Sequence, residues 1–147
     1  MENLRITSYC VGNVVRFAAI SDLQGKSKVI GYVQGVVQPD GVALLGDIFV
    51  EPEIRHAGGF LGLRMISVSL RSKGMGSDLL GRFESELANR GIVQIYGHLP
   101  NESPEVIDCL TRWYQKRGYQ VNVNPKPGEV PNGSKGKISK TIHPSTS

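Results

Sequence analysis

The strongest constraint on the fold lies in mid-chain. An apolar run, residues 63–70, leads into Arg71-Ser72-Lys73-Gly74-Met75-Gly76-Ser77, and an amphipathic pattern follows over residues 78–90. The run reads as a buried strand. Leu79, Leu80, Phe83 and Leu87 recur at helical spacing and form one apolar stripe, which Gly91 brings to a stop. A strand, a basic glycine-rich turn and a helix N-terminus, in that order, make a cradle for phosphate. The first turn of a helix has unpaired N–H groups and the positive end of the macrodipole. Glycine lets the backbone come close to an anion and lets successive N–H groups converge on it.

The flanking segments support a mixed sheet. Residues 4–9, 14–20, 29–37 and 42–50 read as an antiparallel meander, with turn signals at Gly12-Asn13 and Pro39-Asp40-Gly41. Residues 51–62, with Pro52, His56, Gly58 and Gly59, read as a loop. Residues 92–96 form a buried strand ending near Gly97 and His98. Ser103-Pro104 is a helix start, with a capping hydroxyl and proline at the first position. Val106, Ile107, Leu110, Trp113 and Tyr114 then keep helical spacing up to Gly118. A short strand over 119–123, a mobile loop rich in Pro, Gly, Asn and Lys over 124–136, and a last edge-type strand over 137–142 complete the chain. The unit 63–96 is expected to be a parallel, right-handed strand-helix-strand crossover. The expectation is an α/β (α+β) fold in a single domain, residues 1–147.

Composition narrows the function classes. A chain of 147 residues that is 39% hydrophobic and 20% charged can bury a real core. No apolar run approaches the ~20 residues of a membrane span, and Met1-Glu2-Asn3 lacks the basic-then-apolar form of a signal peptide. Cys10 and Cys109 lie far apart, without metal-site spacing. These features set the expectation of a reduced, cytoplasmic protein with no membrane partner and no metal. The net charge of +4 suits a basic surface or a polyanionic ligand. Lysines and arginines are scattered, which disfavours nucleic acid as the partner.

Two motifs resemble those of the GNAT N-acetyltransferase superfamily. Arg71-Ser72-Lys73-Gly74-Met75-Gly76 is similar to its Arg/Gln-x-x-Gly-x-Gly/Ala pyrophosphate turn, with the Leu79-Leu80 pair behind it. Trp113-Tyr114-Gln115-Lys116-Arg117-Gly118-Tyr119 is similar to its aromatic-Tyr-x-Lys-x-Gly-aromatic helix ending. The resemblance covers residues 29–123 as a core and implies a mixed, largely antiparallel sheet around a parallel strand-helix-strand unit, with helices on the faces. The family's two front helices, which normally follow the first strand, have no counterpart here. The connection to Arg71 is about two residues shorter than the usual Val-x-Pro-x-x-Arg form. A strand carboxylate used as base in some members would fall near Gly62.

The resemblance further implies acetyl-CoA as co-substrate and a primary amine as acceptor, joined by direct attack in a ternary complex. N–H groups from Ser72, Lys73, Gly74, Met75, Gly76 and Ser77 would hold the pyrophosphate, with Arg71 and Lys73 adding charge. Backbone groups of Ile66 and Val68 would hold the pantetheine arm and the thioester oxygen. Tyr114 is the candidate acid for the leaving thiolate, since a phenol with a reference pKa of ~10 stays protonated at neutral pH. It also reads as a core tyrosine on an apolar helix face. His98, at the end of a strand, is a candidate base, with Glu51, Asp47 or a water chain as alternatives, and His56 reads as a loop residue. The acceptor is a small molecule or a protein or peptide amine, and pairing along the 137–142 strand would give a homodimer. The competing readings are a GNAT-fold module that binds acyl-CoA or a protein without catalysis, and a basic nucleic-acid-binding domain.

Overall fold

β-Branched and apolar residues dominate the N-terminal part of the chain and pair there as a meander. The computed structural model describes residues 3–23, 25–50 and 74–143. Strands β1 (Asn3–Val11), β2 (Val14–Leu23), β3 (Lys26–Gln38) and β4 (Val42–Val50) come first. Helix α1 (Met75–Asn89), β5 (Gln94–Leu99), helix α2 (Pro104–Lys116), β6 (Gln120–Asn122) and β7 (Gly136–Thr141) follow. They form one seven-stranded sheet in the order β1-β2-β3-β4-β5-β7-β6, in which only β4 and β5 are parallel neighbours. β1 turns straight into β2 through Gly12 and Asn13, with Gly12 in the left-handed region at φ 58°, so no helix stands between them.

Both helices lie on one face of the sheet. A Cβ on Gly35 of β3 would overlap the Phe83 ring of α1 and the Leu44 carbonyl, so Gly35 marks the helix side. Alternation along the strands then turns Gln34 to the other face, together with its partners Arg16 and Asp47. Leu79, Leu80, Phe83 and Leu87 of α1 are fully buried against Val15, Val33, Ala43 and Ile95. Each such side chain stabilises the fold by about 1.5–3 kcal/mol through burial. Ser103 caps α2 by accepting from the Val106 N–H at 3.4 Å, and Pro104 opens its first turn. Helix α2 buries Val106, Leu110, Trp113 and Tyr114 in the same core.

The structure corrects several expectations. The parallel neighbour of β5 is β4, while residues 63–70 lie outside the described residues. β5 has β4 on one side and β7 on the other, so the crossover runs from β4 through α1 to β5. Helix α1 begins at Met75 rather than at residue 78, because Gly74 takes φ 100° as its N-cap and the next three residues are already helical. The last strand is not an edge: β7 is inserted between β5 and β6, and the sheet's edges among the described residues are β1 and β6. The hydrophobic core takes in Val15 and Ala19 of β2, Ile138 of β7 and Ile142 just after it.

Candidate active site

β4 and β5 pair over only four positions, from Val42↔Gln94 to Leu45↔Gly97. β4 then follows β3 as far as Val50, and β5 follows β7 as far as Leu99. A register shift between Gln34 and Gly35 leaves Gly46 without a pair on β3, a bulge that bends β4 where the two parallel strands part. The divergence opens a cleft of about 560 Å³, lined by Leu45, Asp47, Ile48, His98, Leu110 and Tyr114 among others. One wall comes from residues 131–134 of the loop before β7, which Ser134 holds down by donating its Oγ hydrogen to the Leu99 carbonyl at 2.8 Å.

Tyr114, from α2, lies at this cleft and is 7% exposed. Trp113 and Tyr119 pack edge-on to its ring, with centroids at 5.1 and 5.5 Å. Burial, helped by the negative charge of Asp47, pushes its hydroxyl well above the usual phenol range, so it remains a proton donor. Asp47, on β4, accepts a hydrogen bond from the Tyr32 hydroxyl at 2.6 Å. That bond, with some burial, pushes Tyr32 up to about 12. His98, on β5, packs its ring edge-on to Tyr96 at 5.8 Å. Burial and the neighbouring Lys137 lower its pKa, so the imidazole is neutral at pH 7 and can accept a proton.

The start of α1 is the second half of the site. The Asp78 N–H donates to the Gly74 carbonyl at 2.7 Å, while the N–H groups of Met75, Gly76 and Ser77 precede the helical ladder and have no acceptor within it. Gly76 is buried. The Ser77 hydroxyl accepts from Arg117 Nε at 2.7 Å, which ties the end of α2 to this turn.

Three candidates from the sequence thus meet at one cleft: Tyr114, His98 and Asp47. Gly74, Met75, Gly76 and Ser77 stand at the helix start. Ile66, Val68, Arg71, Ser72 and Lys73 lie outside the described residues, as do Glu51 and His56. The strand beside β5 at the cleft is not the 63–70 run, which lies outside the described residues. The strand that splays from β5 is β4, which leaves the backbone of Gly46, Asp47 and Ile48 without a β5 partner. A strand carboxylate does line the cleft, that of Asp47 on β4. The signal was present directly after β4, where Val50-Glu51-Pro52-Glu53-Ile54-Arg55 has the Val-x-Pro-x-x-Arg spacing.

This donor set fits coenzyme A. Free amides at a helix start suit its phosphates, and β4 backbone without a β5 partner suits the amides of its arm. No family model and no curated protein sequence matches the chain. Solved structures do match it. An acetyltransferase of the GNAT family from Staphylococcus aureus is 14% identical, with a TM-score of 0.59 over 87% of this chain and 68% of that one. The PaiA N-acetyltransferase of Thermoplasma acidophilum, solved in complex with coenzyme A, is 15% identical, with a TM-score of 0.56 over 88% of this chain and 62% of that one. An acetyltransferase from Streptococcus agalactiae is 17% identical, with a TM-score of 0.55 over 88% of this chain and 67% of that one. At these identities the likeness is one of fold, and the fold is that of the GNAT acetyltransferases.

Proposed function

We propose that the chain is an N-acetyltransferase that moves an acetyl group from acetyl-CoA to a primary amine by direct attack in a ternary complex. The observations that carry this reading are the parting of β4 and β5 with Tyr114 at the cleft between them, and the free amides at the start of α1, tied to the end of the Tyr114 helix by Arg117. Acetyl-CoA supplies an activated thioester. The chain's own residues hold, orient and move protons. The N–H groups of Met75, Gly76 and Ser77 bind pyrophosphate, joined by the preceding Arg71, Ser72 and Lys73. The β4 backbone at Gly46, Asp47 and Ile48, which has no partner on the β5 side, aligns the arm and offers a donor to the thioester oxygen as charge develops. His98 takes the proton of the acceptor amine, with Asp47 on the facing strand as the alternative base, and Tyr114 returns a proton to the departing thiolate.

A second reading is a non-catalytic module that binds acyl-CoA or a protein. It is favoured by the direct β1–β2 turn, which leaves no front helices to shape an acceptor pocket. Thermal unfolding with a large excess of acetyl-CoA tests both, because a ligand that binds only the folded state at about 100 times its Kd stabilises it by ~2.7 kcal/mol. A rise of several degrees, with free thiol released in the presence of an amine or peptide panel, is the result expected of the enzyme. A rise without thiol release selects an acyl-CoA-binding module, and no rise overturns the enzyme and that module together, leaving only a module that binds a protein.

A further inference from the structure

We propose that Arg117 is a positioning residue of the phosphate site: it grips the Ser77 hydroxyl from across the fold and turns that hydroxyl into a charge-assisted donor to the coenzyme A diphosphate. The inference rests on the acetyl-CoA reading and deepens it.

Arg117 is the C-cap of α2, and Ser77 lies in the first turn of α1. Three contacts fix the guanidinium. Nε donates to Ser77 Oγ at 2.7 Å, one terminal nitrogen donates to the Trp113 carbonyl at 2.9 Å, and the group lies 4.1 Å above the Trp113 ring. All three partners are neutral. Two other cations of α1 and β7 are matched to carboxylates, Arg82 to Asp78 at 3.2 Å and Lys140 to Glu84 at 2.9 Å. Among the described residues, Arg117 therefore brings a positive charge that no carboxylate cancels.

The hydroxyl's chemistry sets the consequence. Serine has one proton to give and two lone pairs to accept with. With a lone pair engaged by a guanidinium N–H, the Ser77 oxygen is polarised and its proton is left to be donated elsewhere. It sits next to the free N–H groups of Met75, Gly76 and its own backbone. Donors and an uncancelled cation thus converge on one helix start, an arrangement suited to a doubly charged diphosphate.

The test is a double-mutant cycle on the full chain, read by calorimetric titration with coenzyme A, with urea midpoints as a folding control. Arg117→Ala and Ser77→Ala should each weaken binding about tenfold, the size expected of a lost charge-assisted hydrogen bond. The double variant should bind no more weakly than the worse single variant, because the two residues act as a unit. Arg117→Lys, which keeps the charge but lacks Nε, should recover only part of the loss. If Arg117→Ala fails to fold, Arg117→Gln takes its place in the cycle. Losses that multiply in the double variant, or an Arg117 variant that folds and binds like the parent, overturn the proposal while leaving the acetyl-CoA reading intact. Failure of the parent chain to bind coenzyme A overturns both.

Discussion

Leu45 of β4 and Gly97 of β5 form the last pair before these two strands separate, and the cleft begins at that pair. A Cβ on Gly97 would stand 3.1 Å from the Leu45 carbonyl and 3.2 Å from the Ile138 side chain. The fork is thus packed tightly enough that a methyl group there makes its neighbours give by a few tenths of an ångström. Gly97→Ala should lower stability by about 1 kcal/mol, the low end of the range for overpacking. Ile138→Val in the same chain should restore part of the loss by making room. Urea denaturation of the two variants checks this, and a Gly97→Ala chain as stable as the parent would mean that the fork yields freely.

Tyr114→Phe removes one oxygen from a side chain that already packs as an aromatic between Trp113 and Tyr119. The variant should fold and bind acetyl-CoA within about twofold of the parent, since the ring contacts remain. Turnover should fall about 100-fold, the lower bound for a lost general acid. Burial and Asp47 hold the hydroxyl protonated at neutral pH, so no rate loss assignable to its ionisation is expected between pH 6 and 9. Unchanged turnover would reduce Tyr114 to a core residue.

The pH dependence separates His98 from Asp47. Burial and Lys137 favour the neutral imidazole in the folded chain, so its pKa lies below the ordinary value of about 6.5. If His98 is the base, kcat/KM should be level above pH 6.5 and fall as pH drops through the lowered value. The same shift gives a stability contribution that is complete above pH 6.5 and is lost as pH falls through the folded-state pKa. His98→Gln should lower the rate, remove the acid limb and flatten this part of the stability profile below pH 6.5. An acid limb that persists in His98→Gln and vanishes in Asp47→Asn assigns the base to Asp47 instead.

Elements governed by local chemistry were legible in the sequence. The turns at Gly12-Asn13 and Pro39-Asp40-Gly41, the Ser103 cap and the apolar stripe of α1 all appear where their residue types demand. Val42–Val50 was legible as a strand, but its parallel pairing with β5 was not, because pairing depends on a contact between strands separated by a long crossover. The run 63–70 has the same apolar character as a buried strand and stands directly before the glycine-rich turn, so it drew the assignment. The edge position of the last strand failed for a related reason. Lysines 137 and 140 suggested a guarded edge, yet Lys140 instead donates to Glu84 at 2.9 Å and to the Arg117 carbonyl at 2.9 Å, knitting β7 into the interior of the sheet. Tyr114 was singled out through its motif, whereas its place at one cleft with Asp47 required the fold.

The segment between β4 and α1 supports a last prediction, made on sequence spacing. Two arginines each complete half of one motif. Arg55 follows Val50 and Pro52 in the Val-x-Pro-x-x-Arg form, and Arg71 precedes Gly74 and Gly76 in the Arg-x-x-Gly-x-Gly form. Deleting residues 56–71 joins Arg55 to Ser72 and completes both halves at once, leaving residues 51–55 and 72–73 as the link. Connections from strand to helix are usually about 2–6 residues long, and ones beyond about 12–15 are uncommon. The shortened chain should therefore fold with a melting temperature no lower than the parent's and bind coenzyme A at least as tightly, with Arg55 taking the place of Arg71. Thermal unfolding with and without coenzyme A checks both. A deletion variant that folds but has lost coenzyme A binding would show that residues 56–71 contribute to the site, and one that does not fold would show that the sheet depends on them.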